Sequence, residues 1–123
     1  MKNLHYIFIV LITIFCCSNT PNTVSPNEVY NNSQGIMMYK GQPYTGKVMG
    51  ENNGYMVVEK GVIKQMIISH KNGNVAIKIE LEYPRMSFWD DRGNKMSKQE
   101  FLKNYPSFKS ITETWDEVIP LSN

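Results

Sequence analysis

The chain has few of the residues from which catalytic and metal sites are most often built. Of its 123 residues only two are cysteine and two are histidine. Cys16 and Cys17 both follow the N-terminal apolar run, and His70 is the only histidine beyond it. The part of the chain after Cys17 therefore has no thiol for a disulfide, a zinc site or a nucleophile. We predict no catalytic residue, no metal and no cofactor, and we expect His70 to be a solvated residue at a strand end.

An excess of charge of one sign is also missing. The chain has 13 Lys and Arg against 11 Asp and Glu, a net charge of +2. Such a balance gives no strong field for a polyanion, so we predict no nucleic-acid partner. The length allows one domain. Eight Gly and six Pro, with seven Tyr, five Phe and two Trp, indicate a β-rich domain with many turns.

The longest apolar run lies at the N-terminus, in MKNLHYIFIVLITIFCCSNT. Lys2 precedes it, and residues 7–15 are apolar apart from Thr13. This run suits the apolar region of a signal peptide and is shorter than the roughly 20 residues that a membrane-spanning helix needs. An apolar run that ends at a cysteine resembles a bacterial lipoprotein signal, in which the cysteine thiol is acylated and becomes the first mature residue.

Cys17 fits the lipoprotein pattern better than Cys16. The pattern favours Leu three residues before the acylated cysteine and a small residue directly before it, and Cys17 has Ile14 and Cys16 there. Cys16 would instead follow the bulky Phe15. We therefore predict a signal peptide over 1–16 with the lipid on Cys17, while an ordinary secretory signal or a short uncleaved anchor stays an alternative. The resemblance implies a lipoprotein of the bacterial cell envelope, anchored in the outer membrane and facing the periplasm or the surface.

Residues 17–35 follow this signal and contain Ser, Asn, Thr and Pro with few apolar side chains. Such a segment buries too little apolar surface to offset the entropy that is lost on ordering. We predict a flexible tether over 17–35, which holds the folded domain of residues 36–123 away from the membrane.

From residue 36 onward, short apolar runs alternate with glycine turns. In residues 75–82 apolar side chains recur at every second position, the pattern of a half-buried strand with one face in solvent. Lys-Gly pairs stand at positions 40 and 60, and Asn-Gly or Arg-Gly pairs recur with nearly the same spacing. The two series predict an internal repeat of about 20 residues, each repeat one hairpin. The predicted turn glycines are Gly41, Gly46, Gly54, Gly61, Gly73 and Gly93.

One stretch resembles a known family. KGQPYTGKV, followed by NNGYMVVEKGVIKQMIISHKNGNV, is similar to the MORN-repeat variant of bacterial proteins called YwqK-type antitoxin-like. The opening signature is matched by Gly41, Pro43, Tyr44, Thr45 and Gly46. The resemblance extends over residues 36–104 and implies a mainly β fold, a single antiparallel meander sheet of MORN-like hairpin repeats with a short C-terminal helix. It also implies an antitoxin or immunity-type role, in which the protein neutralises a partner toxin.

The C-terminal part changes to a helical pattern. Ser97, with a glutamate three residues later, forms a capping-box signature, and Phe101, Leu102 and Tyr105 fall on one helical face. We predict a short helix over 98–104 that packs on the sheet. The residues that follow it suit either a last strand or a second short helix.

Residues 41–48 also have the Gly-x4-Gly-Lys spacing of a phosphate-binding loop. Val48 stands where such a loop has Ser or Thr for magnesium, Pro43 lacks a backbone N–H, and a β-like run follows instead of a helix. We therefore interpret this stretch as the first hairpin of the repeat rather than as a phosphate site.

Exposed aromatic side chains on one face of the sheet are the predicted functional feature. The residues predicted to bind a partner are Tyr39, Tyr44, Tyr55 and Trp89, with Phe88 beside them. The alternative is that these side chains pack on the C-terminal helix and on one another. The sequence thus predicts a non-enzymatic envelope lipoprotein, an interaction module that binds a protein or another envelope component through its sheet face.

Overall fold

A computed structural model describes residues 20–118, and the predicted signal peptide and Cys17 lie outside these residues. Ten strands are followed by two helices. The strands are β1 (Thr23–Val24), β2 (Tyr30–Asn31), β3 (Met37–Tyr39), β4 (Gln42–Pro43), β5 (Gly46–Met49), β6 (Tyr55–Glu59), β7 (Val62–Ser69), β8 (Val75–Glu80), β9 (Arg85–Trp89) and β10 (Lys95–Met96). The helices are α1 (Lys98–Asn104) and α2 (Lys109–Val118). The prediction of a mainly β fold with short C-terminal helical structure is confirmed.

The strands form two sheets rather than the single antiparallel sheet that was predicted. The large sheet has seven strands in the order β1-β5-β6-β7-β8-β9-β10, and from β5 to β10 each strand pairs antiparallel with the next. At its edge, β1 pairs parallel with β5. The second sheet has the order β2-β3-β4. The large sheet is therefore mixed, because a segment from the predicted tether joins it.

Residues 20–35 belong to the folded domain, which corrects the predicted tether over 17–35. Val24 is only 3% exposed and lies in register with Val48 of β5. The polar residues between the strands make turns, since the Ser25 backbone N–H donates to the Glu28 carboxylate at 2.7 Å. Ser, Asn and Pro favour such local bonds. A single well-placed valine and these turns order a segment whose composition alone predicts disorder.

A five-residue loop with the same closing hydrogen bond occurs at residues 32–36, 50–54, 70–74 and 90–94, and the loop at 50–54 differs from the others in containing a 3-10 turn. In each loop the backbone N–H of the first residue donates to the carbonyl of the fifth, with N···O distances of 2.9, 2.7, 2.8 and 2.9 Å. The first residues are 18, 20 and 20 positions apart. This spacing agrees with the period of about 20 residues that the glycine pairs indicate.

Two-residue turns alternate with these loops. Lys40-Gly41 and Lys60-Gly61 have positive φ at both residues, the geometry that suits a tight hairpin. Gly61 is also buried, and its N–H donates to the Tyr44 carbonyl at 2.7 Å while its own carbonyl accepts from the Met37 N–H at 2.9 Å. The turn between β6 and β7 therefore holds the small sheet against the large one.

The C-terminal helix is confirmed over residues 98–104. Ser97 is its N-cap, and its hydroxyl accepts from the Glu100 backbone N–H at 3.2 Å. Phe101 is buried against the sheet, as predicted for that helical face. The residues after this helix, which were predicted to form either a last strand or a second helix, form α2. An ion pair between Lys98 and Asp116, at 2.6 Å, joins the two helices. No helix within residues 20–118 has the length and apolar character needed to cross a membrane.

Buried side chains form two separate cores. The helix-side core lies under α1 and α2 and consists of Ala76, Ile77, Ile79, Phe88 and Phe101. The small-sheet core lies under the second sheet and consists of Val24, Met37, Tyr44, Val48 and Val58. Both use the same face of the large sheet, because a row of paired residues crosses it from Val48 to Ile79.

Candidate functional site

An open cleft of about 750 Å³ lies between the two cores. Its floor comes from the row of paired residues on β5, β6 and β7. Val48 is paired with Met56, and Met56 with Met66, while Ile68 lies two residues further along β7. Met56 packs against the small-sheet core and Met66 against the helix-side core. The floor is therefore the apolar seam between the cores, where Val48 is buried and Met56, Met66 and Ile68 stay partly exposed.

The walls of the cleft come from the elements on either side of this seam. Pro26, in the turn after β1, lines one side. Tyr105, Phe108 and Ile111, around the start of α2, line the other. Ile111 is 38% exposed, although it is a large apolar side chain. These parts of the cleft are apolar, while polar residues that include Glu51, Asn52, Asn72 and Ser107 also line it.

His70 lies at one end of the cleft and is buried, with 5% of its surface exposed, which corrects the prediction of a solvated residue. Its Nε2 lies 2.8 Å from the Trp89 carbonyl oxygen. The ring packs against Tyr105, with centroids 4.7 Å apart, and edge-on against Phe108 at 5.6 Å. A carbonyl only accepts, so Nε2 carries a proton, and in the neutral form of the ring Nδ1 is then an acceptor.

The loop of residues 90–94 supports this end of the cleft. Asp91 accepts a hydrogen bond from the Tyr105 hydroxyl at 3.2 Å, and its carbonyl accepts from the side-chain amides of Asn72 and Asn74, each at 2.8 Å. Asp90 accepts from the Asn94 backbone N–H at 2.8 Å, and this bond holds the pKa of the Asp90 carboxyl below its usual range. The Asp90 side chain thereby stabilises the turn. The two loops and α1 are thereby joined beside His70.

The predicted partner-binding residues do not form one exposed stripe. Tyr44 is fully buried, and its hydroxyl donates to the Pro21 carbonyl at 2.9 Å. Burial raises the pKa of the Tyr44 phenol above its usual value. Tyr39 packs on the Tyr44 ring with centroids 5.7 Å apart. Tyr44 therefore has a structural role in the small-sheet core, as the packing alternative predicted, and has no surface for a partner.

Tyr55 and Trp89 lie on the opposite face of the large sheet from the cores. Tyr55 precedes Met56 in β6, and Trp89 follows Phe88 in β9. Met56 and Phe88 face the cores, and successive side chains of a strand point to opposite faces. Lys47 lies over the Tyr55 ring, with its Nζ 4.4 Å from the centroid. Phe88, which was expected beside them on the surface, is buried in the helix-side core.

The predicted turn glycines take different positions in the structure. Gly41 lies in a tight turn and Gly46 begins β5, so residues 41–48 form hairpin strands rather than a loop before a helix. Gly46 is thus a strand residue rather than a turn residue, and Gly54, Gly61, Gly73 and Gly93 lie at or beside strand connections. Within residues 20–118 no group of three or more His, Cys, Asp or Glu side chains is placed to hold a metal.

Of the predicted partner-binding residues Tyr55 lines the cleft, but sequence reasoning missed the methionines of its floor and the residues of its walls. A signal was present in the sequence, because Met56 and Met66 occupy equivalent positions of neighbouring strands. The strands carry more apolar residues than two short helices can cover. Methionine side chains are flexible and polarisable, and they are common on surfaces that adapt to different ligands. The predicted binding residues were all aromatic, so the methionines of this seam were not among them.

Comparison of the chain with protein-family models, with curated proteins and with solved structures finds no match.

Proposed function

We propose that the protein is a non-enzymatic interaction module of the bacterial cell envelope, which binds an apolar part of a partner in the cleft. The observation that carries the proposal is the partly exposed pair Met56 and Met66, which line the cleft between two packed cores. Apolar surface left in a concave site gains free energy when a partner removes it from water, at about 25 cal/mol per Å².

The location and the family belong to the same proposal. In this proposal a lipid on Cys17 attaches the domain to a membrane, which is supported by the resemblance of the N-terminus to a lipoprotein signal. The resemblance to MORN-repeat variants is supported by the loops that recur every 18 to 20 residues and by the paired Lys-Gly turns. In this proposal the large sheet is a short meander of hairpin repeats, and the segment before it closes one edge.

Labelled palmitate tests the anchor. We expect the full-length chain to incorporate the label in bacterial cells and the Cys17→Ala variant to lose it, because the thioether-forming thiol is gone. The Cys16→Ala variant is the matched control and keeps the label. A parent chain without label, or equal labelling of parent and Cys17→Ala, contradicts the proposed lipid attachment.

Photocrosslinking in cells tests the cleft. With p-benzoyl-phenylalanine in place of Ile111, on the cleft wall, we expect the full-length chain to form a covalent product with its partner. The second substitution Met66→Glu should abolish the product, because a carboxylate on the floor opposes the entry of an apolar group.

The control position is Tyr83, which is 79% exposed in the connection between β8 and β9. The same photoreactive residue there should give no product. A product at Ile111 that survives Met66→Glu would show that the partner does not enter the cleft. A small toxic protein captured at Ile111 in a Met66-dependent manner would support the immunity-type role that the family resemblance implies.

A further inference from the structure

His70 lines the cleft and, in its neutral form, has an unused hydrogen-bond acceptor. Its Nε2–H donates to the Trp89 carbonyl at 2.8 Å, which leaves the lone pair of Nδ1 without a partner among the described residues. Within residues 20–118 no side-chain nitrogen or oxygen is both sealed from solvent and unpaired. Nδ1 therefore retains some accessible surface, although only 5% of the His70 surface is exposed. His70 is one of the residues that line the cleft.

We propose that the cleft binds a small amphipathic molecule. Its apolar body lies on Met56 and Met66, and a hydroxyl or amide N–H at one end donates to Nδ1 of His70. This inference rests on the proposed function, since it uses the same cleft, and it adds the chemical class of the ligand.

The size of the cleft favours a small ligand over a protein. Its volume of about 750 Å³ falls within the range of small-molecule sites, which is roughly 300–1,000 Å³. A protein partner would have to contact more of the surface than the cleft, because a stable protein interface buries at least about 1,000 Å² in total. The combination of an apolar lining with a few polar groups at one end is typical of small-molecule sites.

The groups beside His70 favour an uncharged donor. Lys71 and Asp91 line the same end of the cleft and carry opposite charges. The Asp91 carboxylate already accepts from the Tyr105 hydroxyl at 3.2 Å. Nδ1 of the neutral ring is an acceptor, and a hydroxyl or amide satisfies it without bringing a further charge into the cleft.

Two matched probes test the inference, 4-hydroxybiphenyl and 4-methoxybiphenyl, which differ in the presence of an O–H donor. They are titrated against the full-length chain in lipid nanodiscs, with labelled methionine methyl groups and with empty nanodiscs as the blank. We expect saturable NMR shifts at Met56 and Met66 but not at Met37, which is buried in the small-sheet core. The phenol should bind about tenfold more tightly than the ether, the usual worth of one hydrogen bond.

The His70→Gln variant tests the acceptor. Glutamine can still donate to the Trp89 carbonyl but has no lone-pair nitrogen at the Nδ1 position, so the advantage of the phenol should fall to within about twofold. If this variant does not fold, the ¹⁵N shift of Nδ1 in the parent decides, because it should move with the phenol and not with the ether.

Each failure has its own meaning. Equal affinities in the parent, with shifts at both methionines, overturn the role of His70. No saturable shift with either probe overturns the small-ligand site. If the Met66-dependent crosslink at Ile111 is nevertheless found, the proposed function stands with a protein partner. Loss of that crosslink while the probes still bind would overturn the proposed function alone.

Discussion

Replacing Gly61 by Ala is expected to destabilise the domain by about 3 kcal/mol. At φ +80° an L-residue in the left-handed region costs roughly 1–2 kcal/mol. The new Cβ would also lie 2.9 Å from the Met37 carbonyl oxygen and closer still to the Ile36 side chain, and overpacking of this kind costs about 1–3 kcal/mol. The carbonyl belongs to the strand that Gly61 itself bonds, so it has little freedom to move away.

Gly41→Ala is the matched control. Gly41 occupies the same position of the same kind of turn, at φ +81°, and an added Cβ there meets nothing within 4 Å. It should cost roughly 1–2 kcal/mol, from the backbone alone. Urea unfolding of the full-length chain, followed by tryptophan fluorescence, measures both variants. Equal losses would mean that the packing of the two sheets at Gly61 contributes nothing to stability.

The features that the sequence predicted correctly depend on local patterns. The alternation in β8, the Lys-Gly turns and the Ser97 cap each follow from a few neighbouring residues. The strands that it missed, β1 and β2, have two residues each. Such strands carry no readable period, and β1 exists because β5, more than 20 residues later, offers an unpaired edge.

The site was harder to predict because it depends on which parts of the sheet are covered by other elements of the fold. Tyr44 and Tyr55 look alike in the sequence, but one is sealed in a core and the other lies on the outer face. A helix about 10 Å wide covers about two strands spaced by roughly 4.8 Å. Two short helices therefore leave part of a seven-stranded sheet to other elements, and the uncovered seam at Met56 and Met66 becomes visible only when the tertiary structure is known.

Replacing Phe101 by Ala should be the most destabilising core substitution, at about 3–5 kcal/mol. Phe101 has no exposed surface, and its ring packs against Phe88, Tyr105 and Phe108 with centroids 5.1, 5.2 and 5.3 Å away. It is the only fully buried aromatic side chain that α1 contributes, so the cavity removes the main contact between the helices and the sheet. The wall of the cleft formed by Phe108 and Ile111 depends on that contact.

Tyr83→Ala is the control for this substitution, because Tyr83 is 79% exposed and its loss should change the free energy of unfolding by at most about 0.5 kcal/mol. Methionine methyl spectra of the full-length chain then locate the damage. We expect the Met86 signal, from a residue packed on the helix-side core, to move in Phe101→Ala, while Met37 in the small-sheet core stays in place. A loss below about 1 kcal/mol, or equal shifts at both methionines, would contradict a sheet with two separate cores, because independent sites respond independently. The cleft depends on that separation, since a single continuous core would cover the seam between Met56 and Met66.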